Sequence, residues 1–204
     1  AATLEVFARL AEQGLVYKQL KPVHWSIANR TALADAELEY EDREDTSVYV
    51  AFELSPESVA KVPCTRGDRV YLAVWTTTPW TLPANLAVAV HPDYNYASLH
   101  CETSAGPMTL VVAADLAERL VRSLEARRGE FLRRCEVTCT VRGADLVDSQ
   151  LTYQHPLVEG KTCPVVPADY VTLEDGTGLV HTAPGHGQED YGTALKCGLE
   201  IYCP

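Results

Sequence analysis

The stretch from Gly176 to Tyr191 reads GTGLVHTAPGHGQEDY, and its pattern changes twice along its length. A Gly-rich turn signal leads into the apolar residues 179–180, which indicates a short buried strand with His181 at its end. A Pro-Gly turn follows, and then come acids of the kind that the helix dipole favours in a first turn. The stretch therefore predicts a strand, a tight turn and a helix over Glu189–Cys197, with His181 and Asp190 facing one pocket.

A second informative stretch runs from Thr76 to Asn85 and reads TTTPWTLPAN. It follows the apolar run 70–75, so its three threonines stand at a predicted strand end. Pro79 and Pro83 remove amide donors that would continue a sheet, which leaves the hydroxyls available. Hydroxyls that both donate and accept hydrogen bonds suit a ribose diol or an ester carbonyl, and the neighbouring tryptophans offer flat apolar walls.

Each stretch also has a purely structural explanation. Threonines at a strand end often form turns with their own backbone, and tryptophans beside them are commonly part of a core. A single histidine at a strand end is usually a hydrogen-bonded structural residue, and Asp190 alone would be an ordinary helix N-terminal charge. Neither stretch by itself decides between structure and function.

The rest of the chain predicts a mainly β protein with a few α-helices. Many short β-type runs separated by turn signals indicate a barrel-like fold. Besides the run at 48–54, these are 70–75, 86–90, 94–100, 108–112, 137–141, 163–166 and 179–182. Two further helices are predicted, one near the N-terminus that Gly14 would end and one from Leu116 to Arg128. No repeat or linker divides the sequence, so one domain is expected over 1–204, with a helix and ribbon at 1–45 leading into the barrel.

The composition limits the classes of function. With 47% hydrophobic and 22% charged residues, the chain has the profile of a soluble globular protein. No apolar run approaches the roughly 18 residues of a membrane span, so no membrane partner is expected. The net charge of −11 opposes broad electrostatic capture of nucleic acid. Arginines concentrate between positions 119 and 134, but the glutamates among them favour a solvated helix face over an RNA-binding patch.

The seven cysteines form an odd set without a Cys-x-x-Cys pair. This spacing argues against a zinc site or a disulfide framework, and it favours reduced thiols. Cys135, Cys139 and His155 are an alternative metal site, although cysteines so spaced on a strand are more often core residues. The expectation is reduced thiols and no metal.

Together the two stretches resemble the signature segments of the connective-peptide (CP1) editing domain of isoleucyl-tRNA synthetase. Residues 16–36, VYKQLKPVHWSIANRTALADA, also resemble that enzyme. The related valyl and leucyl families typically have Thr-Thr-Arg-Pro and Pro-Ala-His-Asp, whereas this chain has Thr-Thr-Thr-Pro and Pro-Gly-His-Gly. The resemblance spans nearly the whole chain and implies the editing-domain fold that these three synthetases share.

The resemblance implies post-transfer editing, which is hydrolysis of the ester that joins valine to the isoleucine tRNA, tRNA(Ile). The implied partners are the 3′ CCA end of tRNA(Ile) carrying valine and the remainder of a synthetase chain. It implies no metal and no other cofactor, and a location in the cytoplasm or in an organelle such as the mitochondrion. The HIGH and KMSKS signatures of the synthetic site are absent from the sequence, so these residues are not expected to use ATP.

The resemblance also implies roles for individual residues. Asp190 would hold the substrate ammonium group, Thr77 and Thr78 would contact the ribose or the ester, and Asn85 would brace the loop or meet the nucleotide. The implied catalytic set is Asp190, Thr78 and His181, in which His181 would orient the attacking water unless a substrate hydroxyl does so instead. Trp80, His181 and Ala183 would shape the side-chain pocket. The complete substrate-binding set is Thr76, Thr77, Thr78, Trp80, Asn85, His181, Ala183 and Asp190.

Two other classes of function fit the same residues. A non-catalytic module would bind the CCA end or free valine without cleaving an ester, and a structural barrel would bind neither. A nonhydrolysable valyl-adenosine analogue would separate the structural protein from the other two, because only they would be stabilised by it. Deacylation of Val-tRNA(Ile) separates the enzyme from the binding module.

Overall fold

The computed structural model describes residues 2–65, 69–128 and 132–204. The chain divides into two compact units, Ala1–Leu38 and Glu39–Pro204. The boundary between the two units falls inside the segment 1–45, which the sequence predicts to lead into a barrel. That both units belong to one editing domain stays a prediction.

The first unit contains helix α1 (Ala2–Glu12) and an antiparallel hairpin of strands β1 (His24–Ser26) and β2 (Thr31–Leu33). Gly14 follows α1 with a φ of 73°, in the left-handed region that glycine adopts without a steric penalty. Its amide and the next one each bind a carbonyl of the last helical turn at 3.0 Å, which is the Schellman pattern. The predicted role of Gly14 is therefore confirmed.

The second unit is built mainly from strands. Its strands are β3 (Val48–Glu53), β4 (Arg69–Thr76), β5 (Ala87–Val90), β6 (Asn95–Thr103), β7 (Gly106–Ala113), β8 (Leu132–Arg142), β9 (Thr152–Gln154), β10 (Thr162–Pro167) and β11 (Leu179–Thr182). Its α-helices are α2 (Pro56–Val59), α3 (Ala117–Arg128), α4 (Gly143–Asp148) and α5 (Gln188–Cys197). In the described parts of the chain, no helix is long and apolar enough to cross a membrane.

The strands form a five-stranded sheet of order β3-β4-β7-β6-β8 and a four-stranded sheet of order β11-β5-β10-β9. In the larger sheet β4 lies between antiparallel β3 and parallel β7. Val70, Leu72 and Val74 on one face of β4 are fully buried, and Tyr71 and Ala73 on the other face are buried too, so apolar side chains cover both faces of this interior strand. Strand β4 therefore delivers the threonine stretch from the centre of a sheet.

Strand β5 separates two apolar cores. Its valines, Val88 and Val90, belong to the main core, and its alanines, Ala87 and Ala89, belong to a smaller cluster that also contacts Cys197 at the end of α5. This alternation follows from the two-residue period of a strand. Because β5 pairs with β11, it fixes the strand that carries His181 at the edge of the smaller sheet.

The prediction of a mainly β protein with a few helices is confirmed. The described strands of the second unit form two sheets, with an isolated bridge between Leu54 and Tyr153, instead of one closed barrel. Each predicted strand has a counterpart, whereas β9, α2 and α4 were not predicted. They contain three, four and six residues, which is too short for a periodic pattern to show in sequence.

The arginines between positions 119 and 134 are paired where their side chains are described. Arg119 lies 2.5 Å from Asp175, Arg122 lies 3.1 Å from Glu118, and Arg134 bonds to an acid of its own strand. These ion pairs are exposed, which supports the interpretation of a solvated face. The side chains of the other three arginines of this group lie outside the described residues.

The expectation of reduced thiols is wrong for Cys101 and Cys135, which form a disulfide. They are direct partners in the β6–β8 pairing, with Cα atoms 4.2 Å apart. A separation of 34 residues in the sequence gives no sign of this register. Cys135 is therefore not available for the alternative metal site with Cys139 and His155. No group of three or more metal-ligating side chains occurs among the described residues.

Candidate functional site

The two informative stretches meet at a cavity of about 360 Å³ within the second unit. Its walls are contributed by the end of β4, the loop after it, β11 and the start of α5. The lining residues are Trp75, Thr76, Thr78, Trp80, Thr81, Val180, His181, Ala183, His186 and Asp190. Six of the eight predicted substrate-binding residues are thus brought to one cavity, and Thr77 and Asn85 are not part of its lining.

The threonine stretch forms a turn and then a 3₁₀ helix, Pro79–Ala84. Thr76 Oγ1 accepts the amide hydrogen of Thr78 at 3.0 Å and lies 3.2 Å from the Thr78 hydroxyl. This is the predicted structural turn, and it leaves the exposed Thr78 side chain on the cavity wall. Thr77 is exposed beside it. The structural and functional interpretations of this stretch are therefore compatible.

The tryptophans are not core residues. Trp80 is 65% exposed at the cavity rim, and Trp75 is half-buried. Both line the cavity, as the interpretation of flat apolar walls requires. The alternative that they belong to the core is wrong, because neither ring is part of the two apolar core clusters.

The second stretch makes a tight turn between β11 and α5. The amide of His186 donates to the Ala183 carbonyl at 2.8 Å, and α5 begins at Gln188. A Cβ atom on Gly185 would lie 2.5 Å from the carbonyl oxygen of Tyr202, so only glycine fits at this close approach. The turn brings the start of α5 back towards the end of β11, and this places Asp190 beside Ala183.

Asp190 is held by two donors. Its Oδ2 accepts the Ala183 amide hydrogen at 2.8 Å, and its Oδ1 accepts the Tyr170 hydroxyl hydrogen at 3.1 Å. Burial raises the pKa of Asp190 above its ordinary value, and these two hydrogen bonds oppose that rise. Each carboxylate oxygen retains a further acceptor position, which makes the group suited to a cationic partner.

His181 is 7% exposed, and both of its ring nitrogens have protein partners. Nδ1 lies 2.8 Å from the Asn85 side-chain nitrogen, and Nε2 lies 2.9 Å from the Thr81 hydroxyl. Burial, followed by the charges of His155 and His186, lowers the pKa of His181 to about 4. The ring is therefore neutral near pH 7, and it faces the cavity as a fully bonded wall.

Four residues of this site were given no role by sequence reasoning. Tyr170 lies 20 residues before Asp190, and Tyr153 donates to Asn85 across 68 positions, so neither pairing leaves a local signal. Thr81 lies inside the threonine stretch and could have been included with its neighbours. His186 also lines the cavity, with Nε2 3.8 Å from the Cys203 sulfur, and it stands in the second stretch.

Comparison with known proteins places this chain among synthetases. The profile of the family described as tRNA synthetases class I (I, L, M and V) matches residues 1–183. Isoleucine--tRNA ligase of Thermosynechococcus vestitus is 47% identical over 207 residues, which cover all of this chain and 21% of the relative. That of Carboxydothermus hydrogenoformans is 44% identical over 204 residues, again all of this chain and 20% of the relative. The chain thus spans about a fifth of these curated relatives.

Solved structures of editing domains share the fold. The P. knowlesi cytosolic leucyl-tRNA synthetase editing domain superposes with a TM-score of 0.60 at 11% identity, over 79% of this chain and 66% of that one. A structure described as GlLeuRS-CP1 gives a TM-score of 0.53 at 21% identity, over 76% of this chain and 66% of that one. At these identities the likeness establishes the fold alone.

Proposed function

The chain belongs to the class I tRNA synthetases of the I, L, M and V group, and from this premise we propose that it is an editing domain that hydrolyses valine from misacylated tRNA(Ile). The family and the fold of its solved relatives point to editing in general. The similarity to isoleucine enzymes along the whole length of the chain supports the choice of valine on tRNA(Ile) as the substrate. The sequence motifs of the isoleucyl type support the same substrate.

One observation carries the proposal: a single cavity has an anionic side, a hydroxyl side and a small apolar wall. Asp190 lies on the first side and Thr78 on the second, and Val180 and Ala183 line the space. An aminoacyl ester presents the complementary groups, which are an ammonium group, a ribose with its ester and a short aliphatic side chain. The Asp190 carboxylate would bind the ammonium through a charge-assisted hydrogen bond.

The reaction is addition of water to the ester carbonyl carbon. The bond between that carbon and the ribose oxygen then breaks, the ribose oxygen takes up a proton, and free valine leaves. His181 is a poor general base for this step because Asn85 occupies its Nδ1 lone pair and burial lowers its pKa to about 4. We therefore assign the orientation of the water to the neighbouring ribose hydroxyl, with Thr78 on the ester and the exposed Thr77 along the nucleotide.

A small hydrolytic site adds selectivity between valine and isoleucine that a single binding step does not provide. One methylene group is worth only about 1–3 kcal/mol in a hydrophobic pocket, and the isoleucine/valine pair is the standard example of that limit. A second, smaller pocket admits valine and excludes isoleucine by size. Ala183, which is 1% exposed, and the bonded His181 ring are rigid walls suited to this exclusion.

The proposed partners are the 3′ CCA end of tRNA(Ile) carrying valine and the remainder of a longer synthetase chain. The net charge of −11 fits a module that receives only the end of the tRNA while other parts of the synthetase supply the phosphate contacts. We place the whole of residues 1–204 in one editing domain, working in the cytoplasm or an organelle and without a metal or other cofactor.

Replacement of Asp190 by asparagine in the full-length synthetase tests the proposal. Loss of one partner of a buried charge pair costs about 2–5 kcal/mol, so clearance of Val-tRNA(Ile) should fall by about 30-fold or more. Valine charged to tRNA(Ile) would then accumulate in an aminoacylation assay. Asp169→Asn is the matched control, because Asp169 is an exposed acid 3.8 Å from Lys196. Unchanged clearance by Asp190→Asn would contradict the ammonium-binding role.

A non-catalytic module is the second candidate, and the cavity that Asp190 lines favours it over the structural barrel. Such a module would bind valyl-adenosine but leave its ester intact. A wild-type enzyme that is stabilised by a nonhydrolysable valyl-adenosine analogue and yet never deacylates Val-tRNA(Ile) would establish this alternative. A protein that is not stabilised by the analogue and does not deacylate Val-tRNA(Ile) would support the structural barrel instead.

A further inference from the structure

A line of hydrogen-bonded side chains runs from β9 behind the cavity to the threonine loop in front of it. Its members are Tyr153, Asn85, His181 and Thr81, and they come from three separate segments of the chain, because Thr81 and Asn85 both belong to the threonine stretch. Tyr153 and Asn85 are fully buried and lie outside the cavity lining. The line therefore joins the interior of the protein to the wall that would meet the substrate.

The direction of each hydrogen bond follows from its partners. The Asn85 side-chain nitrogen donates to the Ala87 carbonyl at 2.9 Å, which is one of the hydrogen bonds that orient the amide. The same nitrogen has no lone pair, so it donates its other hydrogen to His181 Nδ1, and Asn85 Oδ1 accepts the Tyr153 hydroxyl hydrogen. A neutral ring with Nδ1 as acceptor carries its hydrogen on Nε2.

The line then continues into the loop. His181 Nε2 donates to the Thr81 hydroxyl at 2.9 Å, and Thr81 donates its own hydrogen to the Thr78 carbonyl at 2.9 Å. Every donor in the line thus meets an acceptor. Reversal of the Asn85 amide would place its oxygen against both the Ala87 carbonyl and Nδ1, and would require a hydrogen on Nδ1.

We propose that Tyr153 is a positioning residue of the editing site, which fixes the Asn85 amide and thereby the tautomer of His181 and the place of the Thr78 loop. Tyr153 does not line the cavity and acts only through its partners. Its effect on hydrolysis rests on the proposed function, whereas its effect on the His181 tautomer does not. The proposed function and the positioning role of Tyr153 can therefore be refuted independently of each other.

The structure offers a clean substitution and a matched control. Tyr153→Phe keeps the ring, which packs against Phe52 with centroids 5.2 Å apart, and removes only the hydroxyl. Tyr96 is equally buried, and its hydroxyl donates to the Gly178 carbonyl, just before β11, at 2.8 Å. Tyr96→Phe therefore removes this buried hydrogen bond to the same strand region, and with it the one that the hydroxyl accepts from the His91 amide at 2.9 Å, without touching Asn85.

Nitrogen-15 NMR of the imidazole rings in the 204-residue chain reads the tautomer directly, with the His181 signals assigned through His181→Gln. The wild type and Tyr96→Phe should show a hydrogen on Nε2 alone. Tyr153→Phe should show a second population with the hydrogen on Nδ1, because Asn85 has lost the donor that held its oxygen. The wild-type tautomer in Tyr153→Phe would overturn the proposal.

Kinetics supply the second measurement. In the full-length synthetase, Tyr153→Phe should lower kcat for Val-tRNA(Ile) deacylation by about tenfold with little change in KM, because the loop is misplaced while the ammonium site is intact. Tyr96→Phe should stay within about twofold of the wild type. Equal rates in the two variants would overturn the proposal. A wild type that does not deacylate would refute the proposed function, and the NMR result would still decide the tautomer.

Asn85→Asp provides a test that does not depend on the folding of Tyr153→Phe. Its carboxylate presents an acceptor to Nδ1, so the His181 ring must carry a hydrogen there. An unchanged Nε2-only spectrum in Asn85→Asp would overturn the line of hydrogen bonds from which the role of Tyr153 is inferred.

Discussion

Asp190 and His181 line the same cavity, but the residues around them favour different charge states. Asp190 is surrounded by donors, the Ala183 amide and the Tyr170 hydroxyl, which stabilise a carboxylate. His181 has one donor and one acceptor, Asn85 and Thr81, an arrangement that suits only a neutral ring. The first side therefore suits a cationic partner, whereas the second is a wall whose polar atoms are already bonded. Burial alone would push both groups towards neutrality, so their partners decide the difference.

The two sides also respond to pH with opposite signs. The pKa of His181 is lowered in the folded protein, so the unfolded chain takes up a proton first as the pH falls, and stability is lost. The pKa of Asp190 is raised, so the folded protein takes up a proton first, and stability is gained as the pH falls. Separate measurements of the pH-dependent stability that His181 and Asp190 contribute therefore test this difference between the two sides of the cavity.

The largest expected effect is the pH dependence that His181 adds to stability. Between its ordinary pKa of 6.5 and its folded pKa of about 4, the free energy of unfolding should fall by about 3 kcal/mol as the pH is lowered. The measurement is the difference between the wild-type chain and His181→Gln in urea unfolding at several pH values. His24→Gln, at an exposed histidine, is the control. A pH-independent difference between the wild type and His181→Gln would show that the ring is not held neutral.

An intermediate effect is expected on the Asp190 side from Tyr170→Phe. Removing this donor should raise the pKa of Asp190 further, and a hydrogen bond to a charged group is worth about 1.5–3 kcal/mol. The KM for Val-tRNA(Ile) should therefore rise while kcat changes less, because the ammonium site is weakened. Carbon-13 titration of the carboxylate would measure the pKa, with Tyr96→Phe as the control. An unchanged KM would mean that the Ala183 amide alone maintains the site.

The smallest effect is expected at the turn that precedes β11 on the His181 side. Arg119 donates to the Glu174 carbonyl at 2.7 Å and pairs with Asp175, and both partners are exposed. Arg119→Gln should lower the free energy of unfolding by less than about 1 kcal/mol, and less still at high salt. Arg122→Gln, on the same helix but paired with Glu118, should leave hydrogen exchange in the turn unchanged. Equal hydrogen-exchange rates in the turn for both variants would show that Arg119 does not stabilise it.

Much of the fold could be predicted because its signals are local. Gly14 and Gly198 end their helices with φ values of 73° and 68°, as the sequence predicts from glycine alone. The apolar run before Thr76 is a central strand, and the Pro-Gly turn connects β11 to α5. Hydrogen-bonding and steric preferences over a few residues determine these features, so a short stretch of sequence contains them.

The disulfide and the supports of the site could not be predicted in this way. Cys101 lies opposite Cys135 only because of the register between β6 and β8. Strand β5 pairs in parallel with β10, although the four strands β6 to β9 lie between them in the sequence. Tyr153 reaches Asn85 from a three-residue strand whose pattern is too short to recognise. Such contacts depend on which strands become neighbours in the fold. The local sequence of either partner does not predict which strand its neighbour will be.

The sequence by itself determined the kind of elements, the two motifs and most of the predicted groups that line the cavity, because turns, caps and strand periodicity act over neighbouring residues. Only the tertiary structure decided what each group can do. It placed Tyr170 and the Ala183 amide against Asp190, and Asn85 and Thr81 against His181. Charge state and tautomer depend on burial and on hydrogen-bond partners, and these partners come from segments that meet only when the sheets assemble.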